Sequence, residues 1–122
     1  MRKYPLDISV TAVFVDDGTG NGSVARAQIG PTVYGTKWHV TSVSTQTTSD
    51  TTQYGSSQLL VYQDTESPSR YLYGSFNAEN DTASGDETEL QTLSNLLFVW
   101  TKGNIGATAI AVIRGWVEDA RN

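Results

Sequence analysis

His39 is the only histidine of the chain, and there is no cysteine. It is therefore the one side chain suited to proton transfer near neutral pH or to nitrogen ligation of a metal. It follows Trp38 in a stretch of strand character, so alternation turns its ring to the face opposite Trp38. A catalytic dyad needs a nucleophile or a carboxylate beside the ring, and no partner is marked in the sequence. His39 reads as a surface or interface residue. A metal centre built from histidines or cysteines is excluded by their number.

The remaining candidates are carboxylates and aromatics. Asp16-Asp17-Gly18-Thr19-Gly20-Asn21 offers oxygen ligands around a sharp turn, as calcium loops do. It lacks their Asp-x-Asp-x-Asp-Gly spacing and closing Glu, and the same residue types ordinarily join strands. Glu79, Asp81, Asp86 and Glu87 fall in a polar run that reads as a solvated loop. Gly18-x-Gly20 opens no helix, so it cradles no phosphate. No two acids stand out as the facing pair of a glycosidase. Tyr34, Trp38, Tyr54, Tyr62, Tyr71, Tyr73, Trp100 and Trp116 have rings able to stack on sugars, although aromatics also dominate cores and interfaces. The expectation is a chain with no catalytic residue, no cofactor and no metal, not an enzyme.

One basic cluster remains. Arg2, Lys3 and Tyr4 precede Pro5, whose fixed φ favours an extended joint. Residues 1–5 read as a short N-terminal arm, with Arg2, Lys3 and Tyr4 as its partner-binding residues. Charge-assisted hydrogen bonds to an acidic partner and burial of Tyr4 would order it.

These groups are positioned by strands. Leu93 to Glu118 is the organising stretch. Leu96, Phe98 and Trp100 alternate with Leu97 and Val99. A reversal follows at Gly103, Asn104 and Gly106, which reads as a hairpin. Ile110, Val112, Arg114 and Trp116 then alternate with Ala109, Ala111, Ile113 and Val117. Apolar residues on both faces predict the centre of a covered sheet, with Trp100 and Trp116 between the layers. Upstream, Leu6, Ile8, Val10, Ala12 and Phe14 share the buried face of a first strand. Further strands are predicted at Ser23–Ile29, Lys37–Thr47, Gln58–Gln63 and Tyr71–Phe76. Val43 breaks the alternation of its strand, which predicts a bulge near Thr41 or Ser42. Residues 77–87 read as the longest polar loop and 88–93 as a short strand. Residues 45–55, rich in Thr, Ser and Gln, suit a contact between copies better than a core.

No segment carries apolar residues at helical spacing for three turns. About eight strands, spaced as in sandwiches, predict a single all-β domain over residues 1–122, an antiparallel jelly-roll-like β-sandwich. A seven-stranded immunoglobulin-like sandwich is the rival topology. With 122 residues the chain buries enough surface to fold without staples. Charged residues make up 17 % and the net charge is −5. This balance argues against binding nucleic acid through its phosphates. Asp7 and Ser9 interrupt any apolar run behind Arg2 and Lys3, so no secretory signal and no membrane span are expected.

Several blocks together carry a resemblance. They are Ile29-Gly30-Pro31 with Tyr34-Gly35, Trp38 and Val40, then Leu59, Val61-Tyr62 and Glu66-Ser67-Pro68-Ser69. Tyr73-Gly74-Ser75-Phe76-Asn77 and Leu97-Phe98-Val99-Trp100 with Gly103 follow. Over roughly residues 23–117 the sequence resembles small virion proteins of tailed bacteriophages of actinobacteria. The resemblance implies a β-sandwich built into the particle as a decoration, head-accessory or tail-accessory subunit, and it transfers no catalytic residue. The expected role is a capsid decoration and stabilising subunit bound to the major capsid protein. The alternative is a tail or head-fibre module that recognises host-surface glycans or a receptor. A homo-oligomer, trimeric or lattice-like, is expected in the virion, assembled in the bacterial host cytoplasm without nucleic-acid or membrane partners.

Overall fold

Strand alternation, with apolar residues on the inward positions, builds the strands of this chain. A computed structural model describes residues 1–20, 22–47, 57–75, 78 and 80–121. The strands are β1 (Arg2–Val13), β2 (Val15–Asp16), β3 (Ser23–Ile29), β4 (Thr36–Thr47), β5 (Gln58–Gln63), β6 (Tyr71–Ser75), β7 (Asn80–Leu90), β8 (Leu96–Thr101) and β9 (Thr108–Asp119). A 3-10 turn, Pro68–Arg70, precedes β6. One sheet runs β1-β9-β4-β7 and the other β2-β3-β8-β5-β6, with antiparallel neighbours throughout. Apart from the two-residue β2 and the β5–β6 pair, which stay in one sheet, successive strands change sheets, the winding of a jelly roll. The predicted all-β sandwich is the observed fold.

The core lies between the sheets. Leu6, Val40, Val43, Ala109, Ala111, Ile113 and Val117 from one meet Ala25, Leu59, Val61, Leu96, Phe98 and Trp100 from the other. Trp100 is fully buried, and its Nε1–H donates to Thr45 Oγ1 at 2.8 Å. The register partner of Thr45 is Ala111, so a small residue makes room where the indole crosses. Burying this donor without a partner would cost about 1–3 kcal/mol.

Four expectations need correction. Residues 96–119 do not form a hairpin: β8 and β9 are the interior strands of different sheets. The connection between them is an arch, with Lys102 at φ 67° and Gly106 at φ 92°. Gly103 lies against the Phe14 ring, where a Cβ would collide with it, and Ser23 Oγ donates to the Gly103 carbonyl. Turn glycines mark a reversal equally well whether the next strand pairs in the same sheet or in the facing one. Second, most of residues 77–87 belongs to β7, because an edge strand tolerates polar side chains on its wet face. Third, Arg2 to Pro5 form no projecting arm. They are the first turnless part of β1, in register with Asp119 to Trp116. Fourth, Trp116 is outside the core, on the outer face of the four-stranded sheet, because Ile113, Val117 and Asp119 take the inward positions of β9. The predicted bulge is present: the register of β4 shifts between Val40 and Ser42 against both neighbours. Of the polar run at residues 45–55, the part beyond Thr47 lies outside the described residues.

Candidate interaction surfaces

Sheet register brings together a cluster that linear sequence keeps apart. His39 is the cross-strand partner of Trp116, and Pro5 is the partner on the other side. The His39 and Trp116 rings stack with centroids 3.7 Å apart and planes within 4°. Lys3 Nζ stands 4.6 Å from the centroid of the same indole. A ring stacked this closely leaves no space for an ammonium on its side, so the two groups cover opposite faces of Trp116. Gly115 makes the arrangement possible, since a Cβ there would collide with the His39 carbonyl beside the β4 bulge.

Glu87 closes the cluster. Its Oε1 accepts the Trp116 Nε1–H at 3.0 Å, and its Oε2 lies 3.0 Å from His39 Nδ1. These bonds, that from His39 first, hold the Glu87 carboxyl below the usual carboxylate range, with help from the nearby Lys3 charge. The His39 ring is only 6 % exposed. Its Nε2 has no hydrogen-bond partner and faces Glu118 Oε1 at 3.6 Å. Lys37 bridges Glu89 at 3.1 Å and Glu118 at 3.9 Å. The structure thus supplies the carboxylates that the sequence did not pair with His39. It also covers the ring with an indole. Among the described residues no group of three or more His, Asp or Glu is placed to hold a metal.

The three expected partner-binding residues do not converge. Alternation along β1 sends Lys3 to the outer face over Trp116 and Arg2 to the other side. Arg2 Nη2 lies 3.4 Å from Asp119 Oδ2. Asp119 is fully buried and is held mainly by Arg121, whose Nη2 and Nε donate at 2.8 and 2.9 Å and whose backbone N–H donates at 3.0 Å. These bonds keep the Asp119 carboxyl far below the ordinary range. Tyr4, 39 % exposed, lies near Arg121 and favours its charged form, after the larger effect of Asp119. Each of the three residues is engaged within the chain, and together they fasten its two ends.

The turn after β2 uses its carboxylates locally. Asp16 Oδ1 accepts the Gly18 N–H at 2.7 Å, and Asp17 Oδ1 accepts both the N–H and the hydroxyl of Thr19. Asn21 lies outside the described residues. On the outer face of the five-stranded sheet, Arg26 and Glu66 form a two-point ion pair at 3.1 and 3.4 Å. Shallow hollows over Val24, Leu60, Leu97 and Val99 flank this pair. It accounts for the second apolar face of β8.

Tyr34, 84 % exposed, Leu93, 67 %, and Val33, 46 %, share the end of the sandwich that carries the chain termini, while Val13, Val15 and Ile105 are exposed at the opposite end. The loops of Tyr34 and Leu93 are tied together: the Leu93 N–H donates to the Pro31 carbonyl at 2.7 Å, and Thr92 Oγ1 donates to the Thr36 carbonyl at 2.7 Å. Leu93 holds φ at 73°, a left-handed conformation that costs a branched L-residue on the order of 1 kcal/mol. The sequence placed Leu93 at a strand end and singled out Tyr34 only as one aromatic among eight. Of those eight, Trp38, Tyr73 and Trp100 belong to or pack against the core, Tyr62 and Tyr71 contact each other edge to face, and Tyr54 lies outside the described residues. Burial pushes the Tyr73 phenol up to about 12.

No family model, no curated protein and no solved structure matches this chain.

Proposed function

We propose that this chain is a non-enzymatic structural protein of a tailed-bacteriophage virion, attached to the capsid as a decoration and stabilising subunit. The observation that carries this reading is the apolar end formed by Val33, Tyr34 and Leu93 on two cross-tied loops. Large apolar side chains presented on ordered loops mark a contact surface, and strain retained at Leu93 is of the kind that persists at sites of function. The sequence resemblance to small phage virion proteins supplies the identity of the partner, the major capsid protein. A subunit that binds the assembled lattice and not its free components stabilises it by mass action. His39 supports a non-catalytic role, since its ring is 6 % exposed beneath Trp116. The protein then acts in the virion, as a homo-oligomer or lattice, after assembly in the host cytoplasm.

One observation favours a second reading. Tyr34 offers a nearly free ring at 84 % exposure, a platform of the kind that stacks on sugars. A tail or head-fibre accessory module recognising host-surface glycans or a receptor would use it so. A cryo-EM reconstruction of the particle tests the choice. The capsid reading expects the sandwich on the shell, with residues 30–35 and 91–95 against the major capsid protein. Density at the tail would replace it with the second reading, and a particle without this chain would overturn both.

A further inference from the structure

We propose that the open edge of β1 is a self-association surface, on which a second copy of this chain lays its own β1 antiparallel. Two four-stranded sheets would then join into one of eight strands. The inference rests on the edge itself and not on the virion reading.

The direction of the free backbone groups follows from one residue. Pro5 is the register partner of Trp116 and has no N–H to give. Ladder bonds at this position must therefore come from its neighbours, so the even-numbered residues of β1 bond to β9. Phe14 continues that parity, with its N–H donating to the Ala107 carbonyl at 2.9 Å. Asp7, Ser9, Thr11 and Val13 consequently aim their N–H and C=O groups away from the sheet. Among the described residues no strand pairs with them.

Proteins ordinarily blunt such an edge with bulges, prolines or charges. The edge strands β6 and β7 both meet their neighbours through a register shift. β1 runs in unbroken register along β9, and beyond Pro5 and Asp7 it carries neither proline nor charge. The core is also open along this edge. Ile8, Val10 and Ala12 are only partly buried, whereas their β9 partners Ile113, Ala111 and Ala109 are fully buried. A further strand would cover that flank.

Charge selects a second copy as the occupant. The strand starts with Arg2 and Lys3 and is followed by Asp16 and Asp17. Antiparallel self-pairing sets basic ends toward acidic ends. Centred on Val10, it matches the proline-free stretch of residues 7–13 to itself. It turns the basic start of each β1 toward the end of the other copy where the chain passes into β2 and the Asp16-Asp17 turn, and sets Ser9 opposite Thr11 of the second copy, a hydroxyl pair suited to cross-strand contact.

That register can be tested by charge reversal at exposed positions. Ser9 and Thr11 lie on the wet face, so substitution there leaves the core intact, which a thermal melt verifies. Sedimentation equilibrium of the parent is expected to show a concentration-dependent dimer. S9K/T11K puts like charges opposite at both symmetry-related pairs and is expected to weaken the dimer roughly tenfold or more. S9K/T11E makes both pairs complementary and is expected to restore it. Hydrogen exchange of the parent supplies a reading without substitution: the amides of Ser9, Thr11 and Val13 should slow as concentration rises. A monomer at every concentration, or a dimer indifferent to both variants, would overturn the proposal. It would leave attachment to a virion untouched.

Discussion

Trp100 and Trp116 each sit late in an interior strand, yet one is enclosed by the two sheets and the other lies on the outside of one of them. Trp100 gives its N–H to a buried hydroxyl, Thr45 Oγ1, and its ring to apolar neighbours, Phe98 among them at a centroid distance of 5.8 Å. Trp116 gives its N–H to a carboxylate, Glu87, and its two faces to His39 and Lys3. Both indoles satisfy the same requirements, a hydrogen-bond partner for the nitrogen and cover for the ring. In the core the facing layer meets them. On the outer face, cross-strand register meets them with groups that carry or acquire charge, so that surface answers to pH and salt where the core does not.

The largest expected effect separates the two regions directly. Trp100→Ala empties a fully enclosed site and removes the N–H that Thr45 Oγ1 accepts, and should cost about 3–5 kcal/mol. Trp116→Ala removes a partly exposed ring and its stacking, and should cost about 1–2 kcal/mol. Thermal or denaturant melts of both variants check the ordering, and equal losses would mean that the outer cluster is as integral as the core.

Acid sharpens the same contrast. The Glu87 and Asp119 carboxyls are lowered in the fold from ordinary values of 4.5 and 3.8. Their contribution is complete above those values and is lost as pH falls through the lowered ones. Stability should therefore decline on acidification below about pH 4.5, and Glu87→Gln or Asp119→Asn should each make the decline shallower. Melts of the parent and both variants down the pH scale test this. Loss of the core indole should leave the acid slope unchanged. Alkali probes the opposite sign at Tyr73, raised from 10.0 to about 12: stability should fall as pH rises from about 10 toward 12, and Tyr73→Phe should remove that part of the fall.

Alternation made the two faces of β9 legible in the sequence. Ala109, Ala111, Ile113 and Val117 do share one face, and Ile110, Val112, Arg114 and Trp116 the other. Which face turns inward was not legible, because both carry apolar residues and the largest lies on the outward one. Val43 betrayed the bulge in β4 because a break in period has one local cause. The glycines after Thr101 marked a reversal, but the choice between hairpin and arch depends on a sheet assembled from distant strands. The His39 cluster left no local signal: 48 residues separate His39 from Glu87, and only the pairing of β4 with β7 and β9 joins them. Pro5 signalled extended geometry correctly. That the extension continues into β1 was decided by Asp119 and Arg121 at the other end of the chain.

The smallest expected effect on stability accompanies the most direct test of function. Leu93→Gly relieves a positive φ while losing only exposed apolar surface, so its melt should stay within about 1 kcal/mol of the parent. Tyr34→Ala, at an even more exposed site, should be equally mild. Binding of the parent and the Y34A/L93G variant to isolated particles lacking this chain, at physiological salt, measures what that end of the sandwich is for. The account predicts that the variant folds as the parent does and binds markedly more weakly. Parent-level binding by the folded variant would contradict it.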